Sequence, residues 1–304
     1  MIKKFEVDKD YHGARFDRWF KHKVLDIPQG LIEKIIRKNQ VKVNGKKTKS
    51  SYRVKENDIV EVFNIDKIKQ TEKNIITQYV PTNKERDKYD DFIIEDNENF
   101  IVINKPSGIA VQSGTKSFKN IVDTLRETKY FDNTKPYIVH RLDKETSGIL
   151  IVAKNREYAQ LFTSLFRIRK IHKTYLAVVY GEVSKDIKVL EDDLILYEND
   201  RKIVQKATSY LKVLKSNTQY SLLQLRPVTG RKHQLRKQLY NIGNSIIGDD
   251  KYFVKRSGDF VKSKNLMLHA YEIKFMINNV KYNFQADSSK EFNSFIKKKD
   301  LNIF

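Results

Sequence analysis

Residues 140–148 read HRLDKETSG, with Arg141, Asp143, Lys144 and Glu145 held between two apolar, β-branched runs, YIV before and ILIVA after. A plain surface turn could use these residues, Asp143 bonding its own backbone and Gly148 supplying a permissive dihedral. The same stretch could instead hold a reactive carboxylate. The pattern over 137–153 predicts strand, sharp loop and strand, so a short Asp side chain at the loop has few rotamers and a fixed position. A carboxylate held this way suits a nucleophile, because it loses little freedom on reaching its target atom. The residues alone leave both readings open.

Two distant stretches could complete such a site. In RPVTGRKHQLRKQLYNIG, residues 226–243, a strand ends and a helix is expected to start after Thr229-Gly230. Arg231 and Arg236 fall near that start, with Leu235, Leu239 and Ile242 at core spacing. A guanidinium here could pair with a buried carboxylate and keep it ionised against desolvation. A phosphate-binding or merely solvated basic face fits the same residues. The second stretch, KTYLAVVYG at 173–181, has strand propensity and places Lys173 and Tyr175 on one face, Thr174 and Leu176 on the other. A tyrosine beside a carboxylate could stack on an extruded base, or could be one more core aromatic.

The elements that must carry these groups show in the periodicity. From Gly13 to about Phe63 the pattern is compact. Phe16, Trp19, Phe20 and Val24 recur at helical spacing, and a second helix follows Pro28, with Leu31, Ile32, Ile35 and Ile36 as its apolar stripe. VKVNGKK carries Asn44-Gly45, a hairpin signal because both residues tolerate positive φ, and YRV and DIVEV are further strand candidates. Residues 1–65 hold 16 Lys/Arg against 9 Asp/Glu, a net charge of +7. Two short helices and a hairpin with basic faces point to RNA binding, with a solvated surface as the alternative. Residues 66–90 have mixed charge, Pro81 and little periodicity, and are expected to be a linker. Beyond them, strand candidates at 92–95, 100–103, 137–140, 149–153, 173–179, 203–214, 219–226, 267–276 and 280–285 mix with helices such as REYAQLFTSLFRIR. Hairpin-like neighbours in the second half predict an α+β fold with a largely antiparallel mixed sheet flanked by helices.

Composition narrows the partner. Among 304 residues, 59 Lys/Arg stand against 38 Asp/Glu, a net charge of +21 that attracts a polyanion and opposes self-association. Nucleic acid is therefore the expected partner and a monomer the expected state. No stretch shows the basic amphipathic helix with an extended apolar face that a membrane surface requires. ILIVA is too short to span a bilayer, and MIKKFEVDKD lacks the apolar core of a signal peptide. The absence of cysteine excludes disulfides and thiolate chemistry and fits a reducing cytoplasm, the expected location. The six histidines show no dense ligand spacing, so no metal site is expected.

NKPSG at 104–108, HRLDKETSG, KTYLAVVYG, GRKHQLR, IIGDDKY at 246–252 and LHA at 268–270, taken together and in this order, resemble the RluA-type pseudouridine synthases over nearly all of 91–290. The stretch from ARFDRWF to NQVKVNGKK resembles the S4 RNA-binding domain that precedes this catalytic domain in many members. IPQGLIEKIIRKNQVKVNGKK followed by NKPSGIAVQSG is most similar to the RluC branch, which modifies uridines of large-subunit ribosomal RNA. The resemblance implies an S4-like domain at 1–65, a linker at 66–90 and a pseudouridine synthase domain at 91–304. It implies that Asp143 is the essential catalytic residue, that Tyr175 stacks on the target base and later accepts a proton, and that Arg236 is the salt-bridge partner of Asp143. Arg141 would fill the gap left by the flipped nucleotide, Leu268 would line the pocket, and Arg231, His233 and Gln234 would contact substrate. RNA contacts in the front domain would come from Arg15, Arg18, Lys34, Arg37, Lys38, Lys42 and Lys46. Lys232 stands where the family commonly has Thr or Ser, and Gln238 where His is frequent. Both departures bear on substrate contacts.

The reaction implied breaks the bond from ribose C1′ to N1, turns the base and joins C1′ to C5 with no net change in atoms, so no cofactor is expected. It needs an ionised carboxylate, a pocket that retains the detached uracil and a base for the C5 proton. The target must leave its stack first. Attack at C1′, addition at C6 and removal of the C2′ proton all use the same carboxylate. The expected substrate is 23S ribosomal RNA or a large-subunit precursor. Two other readings fit the same residues: an RNA-binding ribosome assembly factor with a silent back domain, and a nucleic-acid N-glycosylase, which would release free uracil. Asp143, Tyr175 and Arg236 together weigh against the first and less against the second.

Overall fold

A computed structural model describes residues 2–68, 79–113, 119–132, 134–198, 201–253 and 265–302. The chain forms two compact units, 1–77 and 78–304. Of the stretch expected as a linker, positions 69–78 lie outside the described residues. Its flanks are ordered parts of the units: Ile65 and Ile68 are buried in the core of the first, and Tyr89 is buried in the second. Three apolar anchors in a polar stretch give no period, which is why composition alone hides them.

The first unit comprises β1 (Ile2–Glu6), α1 (Phe16–Lys23), α2 (Gln29–Arg37), β2 (Val41–Val43), β3 (Lys46–Lys47) and β4 (Ile59–Phe63). Its sheet runs β1-β4-β2-β3, antiparallel throughout. Phe16, Trp19 and Phe20 of α1 and Ile32 and Ile35 of α2 share one core with Val41, Val43, Val60 and Val62 of the sheet. Asn44 and Gly45 both adopt positive φ, +49° and +74°, and make the tight β2–β3 turn. YRV, expected as a strand, makes only a single bridge from Arg53 to Arg15. β1 carried no signal because its side chains are almost all exposed and lack alternation.

The second unit runs α3 (Asn83–Asp87), β5 (Ile93–Asp96), β6 (Phe100–Lys105), α4 (Ile121–Arg126), β7 (Tyr137–Ile138), β8 (Ser147–Ala153), α5 (Arg156–Arg167), β9 (His172–Tyr180) and β10 (Val189–Glu198). It continues with β11 (Arg201–Ser216), β12 (Tyr220–Pro227), α6 (Gln234–Asn241), β13 (Leu268–Ile277), β14 (Val280–Gln285) and α7 (Lys290–Lys298). Among the described residues these strands form one ten-stranded sheet, β10-β11-β12-β9-β13-β8-β6-β5, with β14 on β13 and β7 on β8. Every pairing is antiparallel except β13 with β8. The fold is therefore α+β, with a mixed, largely antiparallel sheet.

The unbroken ILIVA run has a direct cause: β8 is buried on both faces. Ile149, Ile151 and Ala153 pack with Phe100, Phe162 of α5 and Phe275, while Leu150 and Val152 pack with Ile101, Ile103, Ile121, Leu125 and Leu142. A third core joins β9 and β12 to Leu235 and Leu239 of α6. Asn120, Asn155 and Ser289 cap α4, α5 and α7 by accepting from the backbone N–H three residues on.

The parallel contact is short, pairing Ser147 with His269 and Gly148 with Ala270. Gly148 has φ +106°, and a Cβ there would stand 2.3 Å from the Ala270 carbonyl oxygen. Only glycine lets the two backbones approach so closely. The buried His269 fastens the same junction, with Nδ1 2.9 Å from Ser147 Oγ and Nε2 2.9 Å from the Ala286 carbonyl oxygen.

Candidate active site

The loop that carries Asp143 leaves β7 and enters β8 beside this junction, and it is pinned by the end of β6. Lys105 is fully buried, and its Nζ donates to the carbonyl oxygens of Pro106 (2.8 Å), Ile109 (2.9 Å) and Lys144 (3.1 Å). An ammonium has three donors, and here all three are used. Ser107 Oγ donates to the Glu145 carbonyl, Gly108 N–H to that of Lys144, and Thr146 N–H to that of Asp143. Burial brings the Lys105 pKa down to about 7, against the opposing pull of Glu145 and Asp143. NKPSG is thus the floor on which the Asp143 loop sits. The sequence signal for this role is a lysine ending a strand of apolar residues.

Arg236 reaches this loop from the first turn of α6. Its Nε and Nη2 each donate to Asp249 at 2.7 Å, a bidentate pair in which both side chains are buried. Nη1 lies 3.7 Å from Asp143 Oδ2 and 3.8 Å from Glu145 Oε2, and Nη2 lies 3.6 Å from Asp250 Oδ1. The ion pair expected between Arg236 and Asp143 is present through Nη1, and Asp249, which the sequence did not single out, holds the guanidinium by its other two nitrogens. Burial opposes the Arg236 charge, but Asp249 outweighs it and raises the pKa. On the other side of Asp143, His233 adopts φ +54°, with Nε2 3.7 Å from Oδ1 and Nδ1 3.0 Å from Tyr252 Oη. Burial, with Arg236 adding, lowers the His233 pKa despite the pull of Asp143.

Two clefts meet at this carboxylate. One, about 550 Å³, is lined by Asp143, Lys173, Tyr175, Arg231 and Leu268 among others, with the turn at Thr229-Gly230. The other, about 520 Å³, is lined by Gln112, Lys144, Glu145 and Lys251. Arg141, Leu142, Asp143, His233 and Arg236 border both. Each volume lies in the range that holds a small ligand. The Asp143 side chain is 28% exposed, so it is presented to the clefts yet fixed by its loop. Lys173 and Tyr175 stand on one face of β9, as the spacing predicts, and Thr174 is buried on the other. Burial, then Asp143, push the Tyr175 phenol well above its ordinary pKa. His140 stacks against Phe166 at 4.7 Å and accepts from Ile151 N–H through Nε2 (2.9 Å); burial, with Lys173 adding, brings its pKa down to about 3.

Arg141 is exposed at the shared rim, and Arg231 Nε donates to the Lys206 carbonyl. Gln234 lines the larger cleft and is bonded within the protein. Its Oε1 accepts from Thr229 Oγ1 and Arg231 N–H, and its Nε2 donates to the Thr208 carbonyl and Ser209 Oγ, so the amide holds the 229–231 turn. Gln238 is likewise internal, bonded to Ser209 Oγ and the carbonyls of Leu190 and Ala207, so this departure from the family touches no cleft. Lys232 is exposed.

In the first unit, Arg18, Lys34, Arg37, Lys38 and Lys46 are exposed. Lys42 is partly buried, its ammonium 5.5 Å from the centre of the Phe63 ring. Arg15 is exposed too, with Nε and Nη2 bonded to Asp17, which also accepts from Gln29. Burial pushes the Asp17 carboxyl up, but these bonds outweigh it and hold the pKa below the ordinary value. Among the described residues no helix is long and apolar enough to cross a membrane.

Comparison with known proteins fits this arrangement. Residues 99–241 match the family model described as RNA pseudouridylate synthase, and residues 15–60 match the S4 domain. The ribosomal large subunit pseudouridine synthase C of Rickettsia conorii is 36% identical over 273 residues, covering 86% of this chain and 88% of that protein. The protein of the same name from Haemophilus influenzae is 32% identical over 292 residues, covering 90% and 87%. A solved structure, human RNA pseudouridylate synthase domain containing 4, superposes with a TM-score of 0.62 at 23% identity over 73% of this chain and 97% of that one, a likeness of fold.

Proposed function

The chain belongs to the RNA pseudouridylate synthase family, and on that footing we propose that it isomerises chosen uridines of large-subunit ribosomal RNA at Asp143. It is a pseudouridine synthase, an isomerase with an S4 domain in front. The observation that carries the assignment of the site is the place of Asp143: a rigid loop presents it where two clefts meet, with the Arg236 guanidinium beside it, Nη1 3.7 Å from Oδ2. The names of relatives at 30–36% identity support the choice of RNA.

In this reading the uridine leaves its stack and enters the 550 Å³ cleft, its base on the Tyr175 ring and against Leu268. Arg141, on the rim of both clefts, takes the place the base has left. Asp143 meets the nucleoside, the C1′–N1 bond breaks, and the enclosed base turns until C5 faces C1′. Tyr175 supplies the ring face on which the base rests, its phenol pKa raised by burial and then by Asp143. Arg231, His233 and the basic side chains of the S4 domain hold phosphates and set orientation. A location in the cytoplasm and a monomeric state are part of the same reading, the second from the charge of +21.

The test is to map pseudouridines in ribosomal and transfer RNA from cells with the gene, without it, and with Asp143→Asn. Loss of large-subunit sites in both altered strains, with the variant still binding RNA, is the expected result. Loss confined to transfer RNA overturns the substrate. Unchanged modification by Asp143→Asn overturns the site.

A further inference from the structure

Lys173 stands two residues from Tyr175 on the same face of β9, about 6.6 Å along the strand. Its side chain is partly buried in the larger cleft, which Phe166 and Ile171 also line, and its Nζ lies 4.0 Å from where a Cβ on Gly230 would stand. The ammonium therefore reaches the turn before α6. It makes no hydrogen bond or ion pair among the described residues, and burial is the one influence on its pKa, which it lowers. His140, the titratable neighbour that responds to it, is held neutral and offers no counter-charge.

A cation withdrawn from water without a partner is costly, and a visiting anion repays that cost. The cleft receives two kinds of anionic oxygen during the reaction. One is the phosphodiester of the flipped nucleotide. The other appears when C1′–N1 breaks and the electron pair stays with the base, spreading negative charge over N1, O2 and O4. C5 then bonds to C1′, the C5 proton leaves to a base or water, and N1 gains a proton, so the atoms balance without a co-reactant. We propose that Lys173 is a substrate-contacting residue whose ammonium receives an anionic oxygen of the flipped nucleotide beside Tyr175. It transfers no proton; it acts as a fixed charge where negative charge arrives. The inference rests on the nucleoside binding at Asp143 and Tyr175.

The experiment compares Lys173→Met and Lys173→Arg with the unaltered protein. The probe is total RNA from cells lacking the gene, tritiated at C5 of uridine, which reports C5 proton loss whatever RNA is the target. Thermal melting and RNA affinity at several salt concentrations are measured alongside. The Met variant should melt at or above the wild-type temperature, since a desolvated charge is gone, while tritium release falls at least about tenfold at subsaturating RNA and the Arg variant recovers part of it. If the oxygen belongs to the detached base, the saturating rate falls and Kd holds. If it belongs to the phosphodiester, Kd rises, the saturating rate holds and the logarithmic salt slope falls by about one. A Met variant with rate and affinity within about twofold of wild type overturns the proposal. So does one that loses activity only because it melts well below wild type. Asp143→Asn in the same assay keeps the two readings apart: if it still releases tritium, the site is wrong, independently of Lys173.

Discussion

Replacing Gly148 by alanine should disable the enzyme without touching any group that meets substrate. The added Cβ would lie 2.3 Å from the Ala270 carbonyl oxygen and 2.6 Å from its nitrogen, whereas ordinary contact begins near 3.4 Å, so β8 and β13 must part by roughly 1 Å. Their parallel contact spans two residue pairs and cannot absorb that movement. The strained dihedral adds about 1–3 kcal/mol and the overpacking about 1–3 kcal/mol. A loss of about 4 kcal/mol should lower the melting temperature of the second unit by roughly 10 °C. The Asp143 loop feeds directly into β8, and a displacement of about 1 Å at a reacting group can cost about 10²-fold in rate. Calorimetry and tritium release at a temperature where the variant is still folded measure the two effects. A melting temperature within about 2 °C of wild type together with full activity would refute the reasoning.

Arg236→Lys should be far from conservative: a lysine cannot reproduce the bidentate bond to buried Asp249, and breaking a buried pair costs about 3–5 kcal/mol. Urea unfolding reads that loss, and tritium release should fall with it even in folded protein; normal values in both would show the clamp to be dispensable. His140 makes stability depend on pH. Its folded pKa is about 3 against about 6.5 when unfolded, so below pH 6.5 the unfolded chain takes up a proton that the folded chain refuses. Stability should therefore fall by up to about 1.4 kcal/mol per pH unit from pH 6.5 towards 3. His140→Gln should flatten that part of the urea-unfolding profile, and an unchanged slope would contradict the buried neutral ring.

The sequence revealed most where a physical requirement repeats or has no substitute. The apolar residues of α1 and α2, the Asn44-Gly45 turn and the doubly buried β8 are all of this kind. So is the placing of Lys173 and Tyr175 together, which follows from strand alternation. What stayed hidden depends on partners far away in the chain. Asp249 lies in a stretch with no local sign that its carboxylate would take two nitrogens of Arg236. Nothing local tells that the amides of Gln234 and Gln238 are taken up by Thr208, Ser209 and neighbouring carbonyls. β10 escaped notice because, with Leu190 and Leu194 buried, Val189 and Ile195 lie exposed among acidic residues, and the period is blurred.

A guanidinium gripped on two of its nitrogens by Asp249 has no freedom to follow its guest. The positive pole beside Asp143 is a surveyed point, not a hand. All the bending needed to bring a sugar and base to that point must be done by the RNA, so the uridines chosen will be those whose surrounding strand yields most cheaply.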